Sequence, residues 1–268
     1  ILADTYFVSK GLGASGLAAL NLAIPVYSLV HGCGLMLGMG GATKYSVYVG
    51  QKECKNADKS FSNTIYILFV PAVIFVLAGI FLAGRLALLS GADNAVFGMT
   101  KTYLQVILLF SPVFMLNDSL LCFVRNDGNP QLAMIGMLTG SLANIVLDYI
   151  FIFPLNMGIF GAVLATALAP VISLIVLSKH WFAKQNQFHF QWTKPSLRLI
   201  RDILSLGIPS FIAEVASGVV MIVFNLIILR LRGNIGVAAY GVVANLSLVV
   251  NSIYTGMAQG IQPILSRL

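Results

Sequence analysis

The sequence predicts an all-α integral membrane bundle, and three observations predict it. Of 268 residues, 58% are hydrophobic and only 9% are charged, with a mean hydropathy of +0.91; a soluble domain has about a quarter of its residues charged. Apolar runs of roughly 20 residues, enough to cross a bilayer, recur along the whole chain. Basic residues gather in alternate connections between those runs, which is the pattern that sets topology.

Taken in order, the chain opens inside an apolar segment that ends near Leu12. Seven complete segments follow, over 17–49, 62–89, 102–124, 131–153, 158–178, 203–231 and 236–265. Gly128-Asn129-Pro130 closes one helix and puts proline at the start of the next. Pro154-Leu155-Asn156 breaks the following pair. Pro25, Pro71, Pro112, Pro170 and Pro263 fall inside predicted spans, where membrane helices tolerate proline if the freed carbonyl finds another partner. One set of connections carries Lys52, Lys55, Lys59, Arg125, Lys179, Lys184, Lys194, Arg198, Arg201 and Arg267; the other carries Lys10, Arg85, Lys101, Arg230 and Arg232. The first set is expected on the cytoplasmic side, so the first helix starts inside. Lys44, within the second helix, is expected to snorkel toward the same side.

The polar stretch from Lys179 to Asp202 is the longest and marks the expected boundary. Across it, "GASGLAA" (Gly13 to Ala19) aligns without a gap with "GNIGVAA" (Gly233 to Ala239), and the register continues to pair Val30 with Val250 and Gly40 with Gly260. If helix 7 repeats helix 1 in the same orientation, each repeat needs an even number of helices, and six fit. The expected division is 1–182 (helices 1–6), a cytoplasmic connection over 183–202, and 203–268 (helices 7 and 8). The intact protein would have twelve helices, and this chain would be a piece of it.

Four acidic residues fall inside predicted spans: Asp4, Asp118, Asp148 and Glu214. An aspartate at the centre of a lone helix costs about 2.5–3.5 kcal/mol on insertion scales, so these groups are expected to face the bundle interior. Any one alone reads equally as a buried hydrogen-bonding group between helices. Three in the first half, with Asn117, Asn144 and Thr166 in the same spans, read as a shared polar site. Asn144 and Asp148 are four residues apart and lie on one helix face. Such carboxyls either take up a proton or, with amide and hydroxyl oxygens, hold sodium; the residues leave both open. His31 reads as an interhelical hydrogen bonder before a proton relay. "HGCGLMLGMGG" (His31 to Gly41) reads as small-residue helix packing. Aromatic side chains suit flat lipophilic cations.

Other classes find little support. Cys33, Cys54 and Cys122 form no C-x-x-C, and neither a disulfide nor a metal site is expected of them. The positive balance, Lys+Arg 16 against Asp+Glu 9, belongs to membrane topology, so no nucleic-acid partner is expected. No Gly-x-Ser-x-Gly or His-Glu-x-x-His occurs, so no enzyme is expected. There is no arginine ladder of a voltage sensor. A lipid-linked oligosaccharide flippase is the alternative within transport, but it would line its cavity with Arg and Lys to meet pyrophosphate.

"LADTYFVSKGLGASGLAALNLAIPVY", "GLMLGMGGATKYSVYVGQ", "CFVRNDGNPQLAM", "NIVLDYIFIFPLNMGIFGAVLATALAP" and "GIPSFIAE" resemble the multidrug and toxic compound extrusion (MATE) family, and within it the MepA-like multidrug exporters of Firmicutes. The resemblance covers the whole chain. It implies a bundle of two six-helix lobes related by a pseudo-two-fold axis. Here the N-lobe would be complete but for the start of helix 1, followed by the first two helices of the C-lobe. It implies a monomer in a bacterial plasma membrane that exports cationic amphipathic small molecules in exchange for H⁺ or Na⁺, with no other cofactor. By resemblance, Asp4 matches the family's helix 1 aspartate, Asn144 and Asp148 its helix 5 Asn-x-x-x-Asp, and Thr166 the helix 6 threonine of the same cation site, where Na⁺ would bind. Asp118 stands where several relatives carry asparagine, which adds a charge and leaves the coupling ion open. Glu214 resembles a helix 7 glutamate that some members use for sodium.

Overall fold

The computed structural model describes the backbone of residues 2–182 and 186–265; side chains of Leu2 and of much of 221–264 fall outside the described set. Nine helices are present among the described residues, with no strand: α1 Leu2–Gly50, α2 Cys54–Phe81, α3 Ala83–Leu89, α4 Phe97–Leu109, α5 Ser111–Asn126, α6 Pro130–Ile152, α7 Gly158–Leu177, α8 Lys179–Phe182 and α9 Leu197–Leu265. Five are long and apolar enough to cross a membrane, and the bent pair α4–α5 makes a sixth if the two together are one span.

Each boundary has a local cause. α1 runs through the predicted gap after Leu12, but Gly13 sits at φ 68° and ψ −159°, so the backbone changes direction there. Only glycine takes such angles without steric cost. α6 starts as the sequence predicts: Gly128 turns at φ 90°, the Asn129 side chain accepts from the Leu132 N–H at 3.1 Å, and Pro130 opens the helix. Asn156 and Gly158, both at positive φ, separate α6 from α7.

Two predicted helices come out differently. The segment 62–89 is two helices, interrupted at Leu82, and α2 starts eight residues earlier, at Cys54. Hydropathy marks the lipid-embedded part of a helix, not its start; the polar turns from Cys54 onward are helical and bury Ala57, Ser60 and Phe61. The segment 102–124 is broken at Phe110 into α4 and α5, bent by 50°. Pro112 causes the break. It has no N–H for the Leu108 carbonyl, which instead accepts from the Ser111 hydroxyl at 2.7 Å. Pro25, Pro71 and Pro170 lie within continuous helices, whereas the Pro263 side chain lies outside the described set.

A straight helix of α9's length would reach about 100 Å. Yet Asp202 Oδ2 meets Lys44 Nζ at 2.8 Å, and Gln262 Nε2 meets Thr43 Oγ1 at 2.6 Å. Both ends of α9 therefore lie beside the same turn of α1, and its course must reverse between them. The sequence places that reversal between 231 and 236; the side chains of 233–239, including the second copy of the repeat, lie outside the described set.

The first part of α9 runs antiparallel to the second part of α1. A Cβ added at Gly218 would meet Ser28, at Gly32 Phe211 and Glu214, at Gly207 Met36, and at Gly40 Ile203. The contacts at Gly40 and Gly207 are with backbone carbonyls, 2.0 and 1.9 Å from the added carbon, so no larger residue fits without moving a helix. The glycine run thus packs helices, as its composition predicts. Lys44 does not snorkel free but pairs with Asp202.

The polar connection is pinned rather than loose. Asp58 accepts from the His189 N–H at 2.7 Å and from Gln191 Nε2 at 2.8 Å, Ser62 Oγ from the Gln191 N–H at 2.8 Å, and Asn63 Oδ1 from the Ser196 N–H at 2.9 Å. Phe188 is fully buried, ringed by Tyr45, Phe61, Phe123, His180 and Trp181.

Candidate functional site

A cavity of about 310 Å³ opens between α1, α4, α5, α6, α7 and α9. The bend at Phe110 brings Tyr103 (α4) and Phe114, Asn117 and Asp118 (α5) to its wall, and the glycine seam brings Glu214 from α9. Six of the seven residues singled out in the sequence line it: Asp4, Asn117, Asp118, Asn144, Thr166 and Glu214. The seventh, Asp148, is fully buried behind the wall. Four residues advance a helix by about 400°, so Asp148 is turned some way round from Asn144 and lies under α1 instead of facing the opening.

The polar groups form two clusters. In the first, the carboxyl of Asp148 faces that of Asp4. Neither oxygen of Asp148 accepts from an N–H or O–H among the described residues. Two carboxylates so placed repel each other, and a cation between them would relieve that repulsion. Thr166 stands nearby, its hydroxyl donating to the Ala162 carbonyl at 3.1 Å, with Tyr103 within reach of it. Asn144 Nδ2 and Asn117 Oδ1 are buried without a hydrogen-bond partner among the described residues, a cost usually met by a ligand or water. Among the described residues no three His, Cys, Asp or Glu converge as a metal-binding group. A cation at this cluster would therefore depend on two carboxyls and neutral oxygens.

In the second cluster His31 Nδ1 lies 2.8 Å from Asp118 Oδ2. The Tyr27 ring is stacked on the imidazole, centroids 5.9 Å apart and planes within 8°, and Phe114 meets Tyr27 edge-on at 5.7 Å. Glu214 is close enough for its charge to act on both His31 and Tyr27. Among the described residues, the carboxyls lining the cavity are Asp4, Asp118 and Glu214, joined by the imidazole of His31 and the phenols of Tyr27 and Tyr103, with no Lys or Arg.

Sequence reasoning missed Tyr27, Tyr103 and the partner of His31. The spacing of Tyr27 and His31, four residues on one helix, could have flagged the first. Nothing local could have paired His31 with Asp118, 87 residues away.

The sequence profile of the MatE family matches residues 2–150. The multidrug export protein MepA of Staphylococcus saprophyticus is 29% identical over 265 residues, 98% of this chain and 58% of its own length. MepA of Staphylococcus aureus strain MRSA252 is 28% identical over the same extent. A solved structure of the MATE multidrug transporter DinF-BH, in complex with a small molecule, superposes with a TM-score of 0.88 at 28% identity, over 99% of this chain and 60% of that one. The chain thus spans under two thirds of the relatives it matches, and its bundle is part of theirs. Its profile match, its helices and its neighbours agree that the chain belongs to the MatE family and is a multi-pass protein of the bacterial cell membrane.

Proposed function

We propose that the full-length protein is a secondary active multidrug efflux antiporter, exporting organic cations in exchange for H⁺ or Na⁺ by alternating access. The observation that carries this reading is the cavity, with three carboxyls on its wall and no Lys or Arg among the described residues. Its volume is at the lower end of the usual range for small-molecule pockets, and its aromatic residues suit flat cations. The same acidic wall speaks against a pyrophosphate-linked substrate and so against the flippase. The names of MepA, a multidrug export protein, and of DinF-BH, a multidrug transporter, point the same way.

In this reading residues 1–182 form the N-lobe, 183–202 connect the lobes, and 203–268 begin the C-lobe, in a monomer without catalytic chemistry or further cofactor. Asp4 and Asp148 take the coupling ion: either a proton they share, or sodium held with Asn144 and Thr166. Asp118, Asn117 and Glu214 face the substrate. Neutralising the carboxyl pair favours one arrangement of the lobes and bound drug favours the other, so the two ligands exclude each other.

The test is dye efflux from cells expressing the full-length protein, wild type against Asp148→Asn, with and without sodium and with and without a proton uncoupler. The expected result is loss of efflux in the variant and dependence of the wild type on one ion. Unimpaired efflux in the variant would make Asp148 structural, and no efflux from wild type would reopen the flippase.

A further inference from the structure

The second cluster has a feature that antiport through Asp4 and Asp148 does not use: a basic group built into the wall of an acidic cavity. His31 and Asp118 come from different helices, α1 and α5, yet their polar atoms meet at 2.8 Å. The packing is arranged to permit this. A Cβ at Gly34 would stand 2.7 Å from Asp118 Oδ2 and 3.0 Å from the Met115 Cα, so only glycine one turn along from His31 leaves room for that carboxylate. The pair is also reachable. Asp118 is nearly buried, its side chain 9% exposed, but His31 keeps 29% of its side chain exposed, and both line the cavity. Around the imidazole stand the ring of Tyr27 on its own helix, Asp118 on α5, Glu214 on α9 and, across the cavity, Asp4 on the first part of α1 and Tyr103 on α4. Among the described residues α6 and α7 present only neutral polar groups to the same space: Ser141, Asn144, Thr166 and Ser173.

A ring stacked flat on Tyr27, with a carboxylate at its edge, is what an aromatic cation would require of its binding site. His31 occupies that position. We propose that His31 is the resident cation of the substrate site, and that an aromatic organic cation displaces it from Asp118 and takes its place against Tyr27. The inference rests on the reading of the cavity as the substrate path. In the step, the N–H···O contact between imidazolium and Asp118 breaks, the imidazolium gives its proton to water, and Asp118 stays a carboxylate opposite the incoming cation. Charge at Asp118 is conserved, so entry of a cation exposes no unpaired buried carboxylate, the costly alternative. This proton is separate from any carried by Asp4 and Asp148.

The test uses purified full-length protein in weakly buffered detergent solution and tetraphenylphosphonium, a cation with aromatic rings and no titratable proton. Binding near neutral pH is expected to release about one proton per bound cation through the linkage between the two ligands. In His31→Gln, whose amide can still donate to Asp118, binding is expected to persist with that proton missing from the release and with the affinity less dependent on pH. As a check independent of mutant folding, the ¹⁵N signals of His31, assigned by their loss in His31→Gln, are expected to pass from imidazolium to neutral imidazole as the ligand is added to wild type. Binding with the same proton release in His31→Gln, or His31 signals that do not change on binding, would overturn the proposal while leaving the antiport reading intact. No binding of tetraphenylphosphonium to wild type would instead remove the cavity reading, and this proposal with it.

Discussion

Asp127 shows how much one side chain can hold at the inner end of the bundle. Its carboxylate accepts from the Tyr45 hydroxyl, from His180 Nε2 at 2.7 Å and from the Gln187 N–H at 2.8 Å, and its side chain and that of His180 are each only 1% exposed. Removing His180 takes away one hydrogen bond to a charged group and leaves Asp127 the other two. His180→Ala is therefore expected to lower stability by about 1.5–3 kcal/mol, seen as a lower unfolding temperature of the full-length protein in detergent. An unchanged transition would mean that water replaces the imidazole at no cost. None of this was legible in the sequence, where Asp127 reads as one residue of a turn. Its partners lie 82, 53 and 60 residues away. The contrast with Asp4, Asp118 and Glu214 is physical. A carboxylate inside an apolar run is conspicuous because lipid cannot solvate it, whereas one in a polar connection looks like any solvated charge.

At the level of elements, apolar length located α2, α6, α7 and the first part of α9, and the local turn residues located the boundary between α6 and α7. What escaped was anything decided by a partner element. α2 begins before its apolar run because the connection over 186–196 packs on its first turns. The break at Phe110 needed one more piece of information, that Ser111 would serve the carbonyl Pro112 abandons. The glycine run predicted close packing without saying against what; the structure sets the second part of α1 against the first part of α9. That register gives a direct prediction. A Cβ at Gly218 would lie 3.6 Å from the Ser28 Cβ, within the roughly 3.5–4.5 Å that a disulfide requires. With native cysteines replaced, Ser28→Cys combined with Gly218→Cys is expected to cross-link on mild oxidation, detected by mass spectrometry of the peptides. If the two helices part during transport, the oxidised form is also expected to lose dye efflux and regain it on reduction. Absence of any cross-link would refute the register.

For the molecule as a whole, the alternation of basic residues predicts which end faces the cytoplasm. The structure gathers the predicted inner groups at one end: Lys44 pairs with Asp202, and Arg125 Nη1 meets Gln259 Oε1 at 2.6 Å. Cys54 is exposed beside Lys52 and Lys55 at that same end. In intact cells expressing the full-length protein with Cys54 as its sole cysteine, a membrane-impermeant maleimide is expected to leave it unlabelled until the membrane is permeabilised. Labelling of intact cells would invert the topology and move every assignment of inside and outside with it.

The pinned connection has a mechanical consequence. From Gln187 to Ser196 the chain is fastened to the inner ends of α2 and α5, and α9 begins at Leu197. There is no slack between anchor and arm, so any tilt of the first part of α9 away from α1 would pivot at this joint. Glu214 rides about 25 Å along that arm. A tilt of about 15° at the fulcrum would carry it some 7 Å sideways, by the helix rise alone. The leverage of a short, well-fastened joint thus turns a small angular change at the inner surface into a displacement about as wide as the ring of a bound cation.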